Sequence, residues 1–106
     1  MNKTNQDIKT YVRIRDKGIC QNCGIYCWEK GNIAHRIAQS KVNIKIYGRK
    51  IIDSHLNKVW TCFSNICNSS FNIGNNIGKS QKLVKLINDN PNKYFDAKFI
   101  TEYIDE

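Results

Sequence analysis

Apolar positions fall in short clusters along this chain, and their spacing changes from segment to segment. Ile8, Tyr11, Val12 and Arg15 recur at helical spacing, which predicts a first helix over residues 5–16. Thr4 or Asn5 can cap its start, and Gly18 stands where a C′ glycine belongs. Gly31 to Ile37 and Leu56 to Thr61 are rich in β-branched and aromatic residues and predict two short strands. The stretch between them, SKVNIKIYGRKIIDSH, is dense in Lys and Arg and is expected to be a long connection. A helix is expected after Cys67 as far as Phe71, with Gly74 and Gly78 as breaks. Leu83, Leu86 and Ile87 give Lys79 to Asn88 a helical stripe. Pro91 suits the first turn of a last helix, in which Phe95, Phe99 and Tyr103 recur every four residues as packing contacts.

A chain of 106 residues has room for one domain and one modest core, and a core this small is often stapled by disulfides or metal. The polar, charged start MNKTNQDIKTYVRIRD has no apolar signal region, and no stretch has the length of a membrane span. The expected setting is therefore the cytoplasm, where thiols stay reduced and bind metal more often than they pair. The cysteine spacing agrees. Cys20-x2-Cys23 and Cys62-x4-Cys67 are two short pairs, each able to present two thiolates to one ion. Four thiolates around Zn2+ make a closed structural site with no open position for chemistry. Free buried cysteines are the alternative. Cys27 is the spare and is expected to pack.

Charge narrows the partners. The chain carries +8, but five acids against two lysines give −3 from Asp89 onward, which leaves +11 on residues 1–88. A basic body of this kind points to nucleic acid, although abundant Asn, Ile and Lys also fit plain composition bias.

Four stretches, YVRIRDKGICQNCG, IAHRIAQSK, HLNKVWTC and CNSSFNIGN, together resemble the HNH endonucleases that carry a four-cysteine zinc site. The resemblance covers residues 11–76 and follows the family's order: cysteine pair, His, basic loop, Asn, second cysteine pair followed at once by Asn. It implies an α+β chain with a small ββα-metal fold, stapled by the four-cysteine zinc site and flanked by N- and C-terminal helices. Residues 1–106 would then be one nuclease domain, with 79–106 as its C-terminal helices.

The implied activity is metal-dependent hydrolysis of phosphodiester bonds in DNA, as by phage-like free-standing enzymes. By position, His35 would be the general base, Asn57 would orient its ring, and Asn68 would bind a catalytic Mg2+ or Mn2+. One departure matters: Ala34 stands where many members have a metal-binding Asp. Either His35 or His55 ligates the metal, or Asp53 reaches in from the loop, or the site is degenerate.

Arg36, Lys41, Lys45, Arg49 and Lys50 are the expected DNA-backbone contacts, with Lys79, Lys82, Lys85, Arg13 and Arg15 as additions and Tyr47 as a candidate base reader. Little else signals sequence readout, so specificity is expected to be loose, or to come from a homodimer or another protein. The competing expectations are a non-catalytic zinc module that binds nucleic acid, and a structural or interaction protein.

Overall fold

The computed structural model describes residues 5–93 and 95–105, with the side chains of residues 5–7 excluded. The expected caps Thr4 and Asn5 lie outside the described residues and side chains. Helix α1 (Asn5–Arg15) turns Val12 and Arg15 inward and leaves Ile14 exposed. Its end differs from the expected C′ glycine: Lys17, at φ +60°, takes the C′ place and donates to the Ile14 carbonyl at 3.1 Å, while Gly18, at φ +66°, follows as C″ and donates to the Arg13 carbonyl at 2.9 Å. A Cβ there would also sit 2.5 Å from the Trp28 ring, so no other residue fits without movement.

A two-stranded antiparallel sheet follows. Strand β1 (Gly31–His35) pairs with β2 (Lys58–Cys62), Gly31 opposite Cys62 and His35 opposite Lys58. Both strands are shifted from their predicted limits. Arg36 and Ile37 leave β1, and Leu56 and Asn57 lie in a 3-10 turn, His55–Asn57, before β2 begins. The indole of Trp60 packs where a side chain on Gly31 would stand, with its ring atoms 2.2 Å from a Cβ built there. Gly31 thus lets Trp60 close the sheet onto the core.

The connection between the strands is not a loop. It forms helices α2 (Lys41–Tyr47) and α3 (Arg49–Ile52), separated by Gly48 at φ +86°. Ser40 caps α2, its hydroxyl accepting from the Asn43 N–H at 3.1 Å. The β-branched residues here are weak helix formers, so these short helices draw their stability from packing of Ile44, Tyr47, Ile51 and Ile52.

Helix α4 (Asn65–Ser69) begins before Cys67 and stops before Phe71, because Ser64 supplies a cap ahead of the expected start. Gly78 does not break a helix. It lies in the first turn of α5 (Ile77–Asp89), where the Asn76 cap fixes the start. Pro91 belongs to the turn after α5 and not to the last helix, α6 (Ala97–Asp105), whose first turn is tied by the Asp96 carboxylate to the Phe99 N–H at 2.7 Å. Ala97, Ile100 and Ile104 carry its core face. Phe95 and Tyr103 pack against the same core as expected, while Phe99, stacked between them, remains 44% exposed.

The interior divides in two. A larger cluster joins Ile37, Ile51, Ile52 and Leu56 to α5 and α6. A smaller one gathers Val12, Cys20, Cys27, Trp60 and Cys67 between α1, the sheet and α4. No helix among the described residues is long and apolar enough to cross a membrane.

Candidate functional site

The cysteine frame closes as the spacing predicts. The Sγ atoms of Cys20, Cys23, Cys62 and Cys67 all lie within 4.8 Å of one another, with Cys23 and Cys62 3.9 Å apart. Four sulfurs at about 2.3 Å from one Zn2+ would stand about 3.8 Å apart at the corners of a tetrahedron. The group therefore fits a structural metal such as zinc.

The surroundings suit thiolates. Burial pushes the Cys20 thiol up, but N–H groups of Cys23, Cys62 and Asn22 outweigh it and bring the pKa down to about 6. The Asn22 amide donates to Cys67 Sγ at 3.3 Å. The Ile25 N–H lowers Cys23, yet proton sharing with its neighbours and burial push that thiol up to about 11. Without a cation these thiols resist ionising together, so a divalent ion that binds here releases protons. Cys27 is buried outside the four, and its carbonyl accepts from the Trp60 indole N–H at 3.1 Å.

His35 ends β1 with Lys58 directly across. Pleating places His35, Ile33, Lys58 and Trp60 on one face, and Ala34, Asn32, Val59 and Thr61 on the other. Its Nε2 is buried and has no hydrogen-bond partner among the described residues. Burial first, then the Lys58 charge, pulls the His35 pKa below 6.5, while Asp53 works against them. The ring is therefore neutral at pH 7 and able to take a proton. Because the unfolded chain protonates this ring more readily, the stability it contributes is full above about 6.5 and is lost as pH falls through the lower folded value. An NMR titration of the His35 ring protons should show a midpoint below 6.5. A midpoint above that value would mean the ring is solvated.

Lys58, which the sequence reading did not single out, is itself buried, and its pKa is lowered by that burial and raised by Asp53. The signal was available, since it follows Asn57 and opens the strand that pairs with the His-bearing one.

The two asparagines have other work. Asn57 does not hold the His35 ring. Its oxygen accepts from the Ile37 N–H at 2.8 Å, and its nitrogen donates to the carbonyls of Ile37 and Ile52 at 3.1 and 3.0 Å. Fully buried, it clasps the two ends of the α2–α3 connection. Asn68, on α4, sits against the opposite face of the sheet from His35, its amide donating to Ile33 O at 3.4 Å and Thr61 Oγ1 at 3.3 Å. His55 turns away too: its Nε2 lies 3.0 Å from the Lys93 carbonyl, and its ring packs edge-on against Tyr11. Among the described residues, His35, His55 and Asp53 join no second group of three or more metal-binding side chains.

The expected phosphate contacts divide by burial. Lys41, Lys45, Arg49 and Lys50 are exposed on α2 and α3, Arg49 lying 3.8 Å from Asp53. Lys79 and Lys85 are paired with Asp105 and Asp89 at 2.9 and 2.7 Å. Arg36 is not a surface residue; it is 1% exposed. Arg15 is buried against Asp16, and Arg13 lies over the Trp28 ring at 4.8 Å. Tyr47 lies at the end of α2 and not in a loop, half-buried against the larger core.

No protein-family model, curated protein or solved structure matches the chain.

Proposed function

We propose that this chain is an HNH-type endonuclease acting on DNA, its β1–β2–α4 unit serving as a ββα-metal fold and His35 as the general base. The observation that carries the reading is the His35 ring, which is neutral and half-buried at the end of a strand. In the proposed step the His35 ring takes a proton from water. The water oxygen forms a bond to phosphorus, the bond to the leaving oxygen breaks, and that oxygen is protonated from solvent. Burial, aided by Lys58, keeps His35 neutral, and Lys58 brings positive charge to the same face. The exposed Lys41, Lys45, Arg49 and Lys50 would lie along the DNA backbone. Cys20, Cys23, Cys62 and Cys67 would hold a structural zinc, which would supply rigidity with no open position for chemistry.

The resemblance also implies a catalytic Mg2+ or Mn2+, and the described residues do not assemble a ligand group for it. Ala34 has no donor and is buried, Asn68 sits against the sheet face opposite His35, and His55 faces Lys93. Those observations favour a second reading, a zinc-stapled module that binds nucleic acid without cutting it.

Supercoiled plasmid separates the two. With Mg2+ or Mn2+ the protein should convert it to nicked or linear DNA, while His35→Ala and an EDTA control should not. If neither protein cuts under any divalent ion but both retard DNA on a gel, the endonuclease reading is lost and the binding module stands.

A further inference from the structure

Arg36 carries a charge in a place where charge is costly. It is 1% exposed, and no carboxylate lies within salt-bridge distance of it among the described residues. Its guanidinium makes one hydrogen bond there, from Nη2 to the Ala97 carbonyl at 3.0 Å, and lies 5.3 Å from the centre of the Phe71 ring. Its Nε–H is buried and unpartnered among the described residues. A guanidinium offers five donors, and buried cations are ordinarily paired with an anion.

The space beside it is polar. Arg36 lines a cavity of about 220 Å³ whose wall also includes Asn22, Ser70, Asn72, Lys79 and Asp105. Lys79 and Asp105, at the rim, are half-exposed and bonded to each other at 2.9 Å. Asn22 also reaches Cys67 Sγ, so this wall is braced by the cysteine group. Two cations, two amides and two hydroxyls line one cavity, against a single carboxylate that is exposed enough to turn out to water.

We infer that this cavity is a binding site for a phosphate-class oxyanion, with Arg36 as its buried anchor and Lys79 as the second cation, released from Asp105 when the anion enters. Guanidinium and phosphate match in charge and in paired hydrogen-bond geometry. Burial pulls the Arg36 pKa down to about 10, which still leaves it charged at pH 7. The half-open cavity, with its cation anchored below the surface, suits a phosphoryl group at the end of a strand, or a free one, over an internal phosphate of a duplex lying across the surface. The site does not depend on His35 and does not require hydrolysis.

Inorganic phosphate tests it directly. The zinc-loaded protein, titrated with phosphate at constant ionic strength against a chloride control, should show saturable NMR shifts of the Arg36 Nε–H and the amides of residues 70–73. Arg36 is buried, so its removal tests folding as much as binding; the rim supplies safer variants. Lys79→Met should weaken phosphate about tenfold, the scale of one charge-assisted hydrogen bond. Asp105→Asn should tighten it. Chloride and phosphate acting alike, or both variants behaving as the parent protein, would overturn the inference. Short 5′-phosphorylated and 5′-hydroxyl oligonucleotides then identify the source. Tighter binding of the phosphorylated strand with the same shifts assigns a strand end, and equal binding of the two assigns free phosphate.

Discussion

Stripping the metal from the four cysteines is expected to unfold the part of this protein that carries His35. Structural zinc in small domains contributes roughly 10–16 kcal/mol of apparent binding free energy, as much as the whole stability of an ordinary domain, about 5–15 kcal/mol. The dependence here should be strong because two of the ligands, Cys20 and Cys67, are also members of the smaller core with Val12, Cys27 and Trp60. The cysteine group and the smaller core are therefore one unit. Cys62 ends β2 and pairs with Gly31 at the start of β1, so the ion would also pin the end of the sheet away from His35.

The expected result is one zinc per chain by elemental analysis, with loss of the near-UV signal of Trp60 on chelation or in Cys20→Ser. Lower pH should weaken the metal, since protons compete for thiols as reluctant to ionise as Cys23. Cys27→Ser is the control: Cys27 lies outside the group, so this variant should keep its zinc. A metal-free chain with an unchanged melting temperature would show that the thiols are merely packed.

The parts of the molecule that were legible in the sequence are those fixed by local chemistry. Cysteine spacing announced the metal group, because a knuckle of a few residues has few ways to aim two thiols at one point. The first helix was legible for the same reason, although its left-handed stop begins at Lys17, one residue ahead of Gly18. What escaped was set by long-range packing. Helices α2 and α3 are made of residues that favour strands and become helical against a core supplied by α5 and α6. Arg36 and Asn57 show the limit for the site. Each has a side chain typical of nucleic-acid contact, and each is buried, where the backbone it meets (Ala97 for one, Ile37 and Ile52 for the other) comes from other segments of the chain. A list of basic residues in order of sequence cannot distinguish Lys41, in water, from Arg36, under α6.

Asp16→Ala is expected to cost about 3–5 kcal/mol, the range for breaking one partner out of a buried ion pair. Arg15 and Asp16 are neighbours in sequence with side chains 0% and 1% exposed. The guanidinium meets the carboxylate in two bonds of 2.9 Å, from Nε to Oδ1 and from Nη2 to Oδ2. Its remaining reach goes to backbone: Nη1 donates to the His55 carbonyl at 2.9 Å and Nη2 to the Lys58 carbonyl at 2.6 Å. The carboxylate in turn accepts the Trp60 N–H at 2.9 Å, on the edge of β2 that has no partner strand among the described residues. The pair thus stands in for a third strand and fixes Lys58, opposite His35, from behind. Alanine would strand a buried cation and orphan a buried N–H at once. Urea unfolding should show the midpoint fall with the slope unchanged, and Arg15→Met combined with Asp16→Ala should cost less than the two single changes added together. A loss below about 1 kcal/mol, the scale of exposed pairs, would place Arg15 in water and remove the support it gives to the strand behind His35.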